Sequence, residues 1–409
     1  MARIVTLDHQ DTALDVLGRV EIAAPKSIFE SYFEYDSEDR VWDTYTTGGA
    51  SFAYNTTTRS CSMTTGGSTS GARVVRQTRV YLRFRRGKSI KINPVVNFAA
   101  SGTFSGAAKS RVGYYDDSDG VFFQYSSAGF AILNRASGSG SVVDTTVPQS
   151  QWNLDKLDGT GPSRLTLDPT KGQSTIVEFN SFRTGRIRLG FRVDDRLVYC
   201  HQFNTLNATA INFKRRSLPL RYEVLNDGGA GSNITLSQGG SFVNEQGDNS
   251  EESTYLSSFS NGVTSIAVST TLIPILSIRL KDQFNGQDAR ATITLLNLQF
   301  INLGNNPIEY HLIDNPTLTG ASFSSLGASS QVEGDVSATV VSGGNNLVIG
   351  YANSTAGSGS VSTTVPILFP YKPTLGRSYL GVRDTLTVAA RTISGNSSAA
   401  SSLILREYF

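Results

Sequence analysis

Cysteine, methionine, histidine and charge are all scarce in this sequence. Two cysteines, Cys61 and Cys200, in 409 residues are too few for a disulfide framework and point to buried thiols. The three histidines, His9, His201 and His311, lie far apart. His201 follows Cys200 in an expected strand, where successive side chains face opposite ways, so a shared Cys–His metal site is not expected. No nucleophile elbow of the G-x-S-x-G kind supports a catalytic triad. No run approaches the roughly 18 apolar residues of a membrane-spanning helix. The opening 1-MARIVTLDHQ-10 carries an acid and no apolar stretch, so neither a signal peptide nor a membrane partner is expected, and synthesis in a cytoplasm is. Charged residues make up 17% of the chain and the net charge is +2, a balance that calls for no nucleic-acid partner. Long helical windows with apolar residues at i, i+3, i+4 and i+7 are missing as well.

What the chain does have is glycine, 39 residues of it, and abundant Ser, Thr and Asn around short apolar runs. That is the pattern of an all-β protein. Residues 1–72 read as an N-terminal arm whose aromatic residues (Phe29, Tyr32, Phe33, Tyr35) pack onto a larger body, its own or a neighbour's. Residues 73–230 read as a β-sandwich of jelly-roll or lectin-like type, with strands at 78–84, 111–115, 121–125, 129–136, 175–182, 186–193 and 196–203. The last two flank Asp194-Asp195 as a hairpin turn. A Gly/Ser/acid-rich stretch over 227–254 reads as a linker, and residues 231–409 as a second β-sandwich. From residue 231 onward there are eight Lys/Arg and twelve Asp/Glu; subtraction from the totals of 36 and 34 leaves 28 basic and 22 acidic residues before it. Two units of different surface character follow.

Three constellations bear on chemistry. Basic residues crowd 73–91, with Arg79, Arg83 and Arg85 alternating with Val80, Leu82 and Phe84; a second set includes Arg186 and Arg188. Arginine forks suit carboxylate pairing in protein interfaces, and subunit contacts are expected here rather than nucleic acid. The acids Asp116, Asp117 and Asp119 precede Gly120. An EF-hand loop needs oxygen ligands at positions 1 and 12 with glycine at 6. With Gly120 at 6, those positions hold Tyr115 and Ser126. A hairpin turn is the reading, with a looser Ca²⁺ site on Asp116, Asp117 and Asp119 as the alternative. Finally, Asp155, Asp158 and Asp168 could supply the paired carboxylates of a glycan depolymerase, although turn and cap roles explain them more simply.

An ordered series of phrases runs through the chain: 78-TRVYLRFRRGKS-89, 112-VGYYDDSDGVFFQY-125, 130-FAILNRASG-138, 149-QSQWNLDKLDGTGPSRLTLDPTK-171, 185-GRIRLGF-191, 200-CHQFN-204, 218-LPLRYEV-224, 274-PILSIRLKDQFNGQDAR-290 and 315-NPTLTGASF-323. This series resembles a family of virion structural proteins from tailed phages of marine bacteria, with relatives in large algal viruses. The resemblance implies a non-enzymatic particle component (capsid, vertex, tail or fibre) without an organic cofactor. Its partners would be copies of itself, as a trimer or other homo-oligomer, and other virion proteins. The lectin-type reading of residues 73–230 raises a host surface glycan as an alternative partner, on fold analogy alone.

Overall fold

The computed structural model describes residues 25–83, 88–180, 185–193, 196–204, 213–215, 217–246, 255–262, 264–353, 362–366 and 374–408. The protein is all-β, as expected, and divides into two compact units, Met1–Ser250 and Glu251–Phe409.

The first unit is built from β1 (Lys26–Ser31), β2 (Trp42–Thr47), β3 (Ser51–Asn55), β4 (Ser60–Thr64), β5 (Arg73–Thr78), β6 (Ile90–Ser101), β7 (Gly106–Tyr115), β8 (Gly120–Ser126), β9 (Gly129–Ala136), β10 (Val143–Pro148), β11 (Gln173–Phe179), β12 (Arg186–Val193), β13 (Arg196–Asn204), β14 (Leu220–Gly231) and β15 (Thr235–Glu245). One sheet runs β13-β12-β11-β6-β15-β4-β3, with β1 also on β15; the other runs β10-β9-β8-β7-β14-β5-β2. Alternation along each strand puts one set of side chains into the shared core. Val112 and Tyr114 of β7, Phe123 of β8, Ile132 of β9, Ile92 and Phe98 of β6, and Leu189 and Phe191 of β12 all lie there.

The second unit pairs two further sheets. Tyr255–Ser260, Ser397–Tyr408, Thr292–Asn302 and Ser362–Pro366 form one in that order; Val332–Asp335, Ile273–Leu280, Thr385–Thr392, Ile308–Asp314 and Asn345–Ala352 form the other, with short strands at the margins. Their common core is aliphatic: Ile278, Ile293, Leu298, Leu312, Val388, Leu403 and Leu405.

Three expectations need correction. Residues 1–72 are not a separate arm over the described part, because β1, β3 and β4 belong to one sheet and β2 to the other. Their polar alternation hides real core residues: Phe33, Trp42, Cys61 and Met63 are at most 1% exposed. The boundary at 230/231 and the linker from 227 are also displaced. Strand β15 lies between β6 and β4 in its sheet, and its glycines sit where its register on β6 shifts between Gln238 and Ser241. Composition alone mistook this irregular inner strand for a tether. The predicted strand over 78–84 is the third. Strand β5 ends at Thr78; beyond it Arg79 donates its backbone N–H to Val41 O at 2.9 Å, and Leu82 bridges Leu218. Arg85 and the Asp194-Asp195 turn lie outside the described residues.

Candidate functional site

The outward face of the β10–β2 sheet carries a dense network of charged side chains. Register explains how it forms. Glu223 on β14 lies opposite Arg111 on β7, which lies opposite Gln124 on β8; one step along, Arg221 lies between Gln77 on β5 and Gly113 on β7. Glu223 is 0% exposed and takes Arg73 Nε, Arg111 Nη1 at 3.4 Å and the Tyr115 hydroxyl at 3.1 Å. Burial alone would raise its pKa; Arg73, Arg111 and Arg221 more than offset this and hold the carboxyl below its ordinary value. The guanidiniums of Arg221, Arg111 and Arg135 lie over the rings of Tyr115 and Phe122, which stack on each other at 4.1 Å. Asp227 joins Lys109 (2.8 Å) to Arg111 (3.0 Å), and Asp144 grips Arg135 through two bonds of 2.8 Å.

The three acids of the predicted turn feed this network in separate ways. Asp116 Oδ1 accepts the backbone N–H of Ser118 (2.7 Å) and of Asp119 (2.8 Å), shaping the turn from within. Asp117 Oδ1 bridges Arg73 (2.6 Å) and Arg221 (2.8 Å). Burial works against its charge, but the two guanidiniums hold its carboxyl well below the usual range. Asp119, 0% exposed, accepts four bonds: N–H and Oγ–H of Ser137, and the N–H groups of Lys214 and Arg215. Asp116 Oδ2 also meets Arg215 Nη1 at 3.4 Å, so Asp116 and Asp119 share Arg215 while Asp117 turns to Arg73 and Arg221. No group of three or more His, Cys, Asp or Glu among the described residues has an arrangement that could hold a metal ion.

The carboxylates proposed for glycan cleavage have turn roles too. Asp155 accepts from the N–H groups of Leu157 and Ser163; Asp158 accepts from Thr160 and Asp168 from Thr170, each through both N–H and hydroxyl.

The fold brings the two predicted arginine sets together. Pairing of Ile90 with Phe179, and of Phe179 with Ile187, aligns the start of β6 with the start of β12. The ring of Tyr114 lies 5.1 Å from that of Phe179, and its hydroxyl reaches Leu82 O. Arg83, Lys88, Lys91, Arg186 and Arg188 thus share one end of this unit. Their environments differ. Arg79 pairs with Asp43 at 3.3 Å. Arg188 is only 1% exposed, pairs with Glu178 at 2.8 Å and stacks on Tyr199, so its expected place in a subunit interface is corrected to an internal ion pair. Arg83 and Arg186 are half-buried.

The aromatic residues expected to pack onto a larger body divide between core and solvent. The loop joining β1 to β2 turns Tyr32 and Tyr35 to solvent, 62% and 88% exposed, and Phe33 inward at 0%. Its anchors are numerous. Glu38 Oε1 accepts the N–H groups of Tyr32 (3.1 Å) and Phe33 (3.0 Å), Tyr54 donates to Phe33 O at 2.7 Å, and Trp42 donates to Ser31 Oγ at 2.8 Å. Beneath them, buried Arg76 lies over the Phe33, Trp42 and Phe52 rings and bonds Ser37 O. The aromatic cluster at 29–35 was legible; which rings face out was not, because Phe33 has φ 55°, a left-handed setting that bulky residues rarely adopt.

No family model matches the chain, and no curated protein matches it. Among solved structures it is similar to the endo-1,3-beta-glucanase of Streptomyces sioyaensis, with 10% identity over 55% of this chain and 97% of that one, TM-score 0.35. It is also similar to a legume lectin-like domain from Entamoeba histolytica (9% identity, 56% of this chain, 100% of that one, TM-score 0.31). A third is arcelin-5, a lectin-like defense protein from Phaseolus vulgaris (10%, 55%, 100%, TM-score 0.31). At these identities and scores no activity passes from those proteins to this chain.

Proposed function

We propose that this chain is a non-enzymatic structural component of a virus particle, acting through contacts with copies of itself and with other particle proteins. The observation that carries this reading is the fate of the charged side chains. Acids that acid–base chemistry would require are instead turn formers or partners of arginine, held by two to four donors each. Such networks fix a fold, and the carboxylates of Asp116, Asp117, Asp119 and Asp155 are committed to them rather than to the pairing that glycan cleavage needs. The ordered phrases between residues 78 and 323 supply the particle assignment. Sheet edges are an aggregation hazard in an isolated β-protein, whereas in an assembly a neighbour covers them.

The test is immunogold electron microscopy with antibody to this chain on purified particles from the source culture. Label on a head, vertex, tail or fibre is the expected result and chooses among those positions. Intact and gently opened particles that both stay unlabelled overturn the reading.

A further inference from the structure

The two tyrosines of the β1–β2 loop and the basic end of the same unit are complementary in chemistry. Tyr32 and Tyr35 stand 62% and 88% exposed on a backbone that two left-handed residues, Phe33 (φ 55°) and Glu38 (φ 53°), and the bonds above hold in one shape. Rigid aromatic side chains presented this way gain contact area at small entropic cost, the property of interface anchors. Their rim is acidic: Glu30, Glu34, Asp36, Glu38 and Asp39 against Arg40, Arg59 and the buried Arg76, which pairs with Asp39. Arg59 is already engaged by Glu34. The end of the unit where β6 and β12 begin has the opposite balance. Arg83, Lys88, Lys91 and Arg186 gather there, with Glu245 as the acid nearby, while Arg188 and Glu178 neutralise each other beneath them.

We infer that the β1–β2 loop of one copy docks on the Arg83/Arg186 end of a second copy. Charge selects this occupant. The acidic rim repels an anionic glycan and gains nothing from a neutral one, while a basic protein surface answers it. The two patches are different surfaces of one chain, so the contact either closes reciprocally in a two-fold dimer or repeats head-to-tail into a ring or a filament. The inference rests on the reading that the chain works through subunit contacts, and it names the surfaces.

Sedimentation velocity on the full-length chain, over a concentration series at low and high salt, tests it. The wild type is expected to self-associate, and less so at high salt. The double variant Tyr32→Ala/Tyr35→Ala is expected to associate at least about tenfold more weakly with an unchanged melting midpoint. Glu30→Lys/Asp36→Lys and Arg83→Glu/Arg186→Glu are each expected to stay monomeric alone, and to associate when mixed. A wild type that remains monomeric overturns the contact, as does a tyrosine variant that associates like the wild type. Neither result bears on the particle reading, which the gold label decides by itself.

Discussion

The two units reach the same architecture with different interiors. The first packs aromatic rings between its sheets: Phe123 and Phe191 at 4.8 Å, Phe98 and Phe130 at 5.3 Å, Trp152 and Phe191 at 6.3 Å. Outside that core it buries ion pairs such as Glu223 with Arg111 and Glu178 with Arg188. Among the described residues the second holds one stacked pair of buried aromatic rings, Phe300 and Tyr310 at 4.8 Å, in an aliphatic core. Its 0%-exposed acid, Glu407, is held by neutral donors: Ser257 Oγ, Ser330 Oγ and the Gln331 N–H. The second unit's ion pairs, such as Glu333 with Arg279 and Arg383, lie nearer its surface. Buried charge adds directional constraint at the cost of desolvation, and it makes the first unit vulnerable to loss of a single partner.

The largest expected effect follows from that asymmetry. Glu223→Gln removes the buried charge that Arg73 and Arg111 share, leaving them Asp117 and Asp227, and should cost about 3–5 kcal/mol. The equivalent cut in the second unit, Glu407→Gln, loses only acceptor capacity toward neutral donors and should cost about 1–3 kcal/mol. The two are separable in one molecule. Both tryptophans, Trp42 and Trp152, lie in the first unit's core, so urea unfolding followed by tryptophan fluorescence reports that unit. Hydrogen exchange on Ser397–Tyr408 reports the other. Equal losses for both variants would mean that the charge of the donors is immaterial and would break the comparison.

A smaller contrast lies in the glycines. A Cβ at Gly113 would meet backbone, Val121 O at 2.5 Å and Phe122 Cα at 2.6 Å; at Gly350 it would meet the Tyr310 ring, with Cζ at 2.4 Å. Backbone must shift in the first case and a side chain in the second. Gly113→Ala should therefore cost about 1–3 kcal/mol by overpacking, and Gly350→Ala less. The same two readouts check it, and a larger loss at Gly350 would show that the aliphatic unit is the less adaptable of the two.

Strands with large alternating side chains were legible in both units. The predicted spans 129–136 and 186–193 coincide with β9 and β12, and the alternating text 308-IEYHLID-314 is the strand Ile308–Asp314. Strands made of small residues were not. Ser397–Tyr408 and β15 bury Ala399, Gln238 and Ser241 within Ser- and Gly-rich text whose pattern resembles loop. The candidate site was illegible for another reason. Glu223 and Arg111 lie 112 positions apart, and only the register of β14 on β7 makes them neighbours. The acids at 116–119 were readable as a turn, because Asp and Gly before an apolar strand carry that meaning locally, but their arginine partners were not.

Acid should separate the units' chemistry more gently. His201 of β13 is 6% exposed, and its Nδ1 accepts the N–H of Asn153 at 3.3 Å, a bond that requires the neutral ring. Burial pushes its pKa down from 6.5 to about 4. Between those values the unfolded chain binds a proton that the folded chain refuses, so stability rises with pH in that window and is lost on acidification. The contribution is complete above about pH 6.5, and each unit of descent toward 4 removes roughly 1.4 kcal/mol. Glu223 and Asp117, also depressed, act with the same sign but only below ordinary carboxylate values. The first unit's fluorescence-detected stability should therefore begin to fall between pH 6.5 and 5, before any carboxylate contributes. His201→Asn should lower the neutral-pH stability and flatten that early slope while leaving the later, carboxylate-driven decline in place. An early slope that survives in the variant would assign it to a group other than His201.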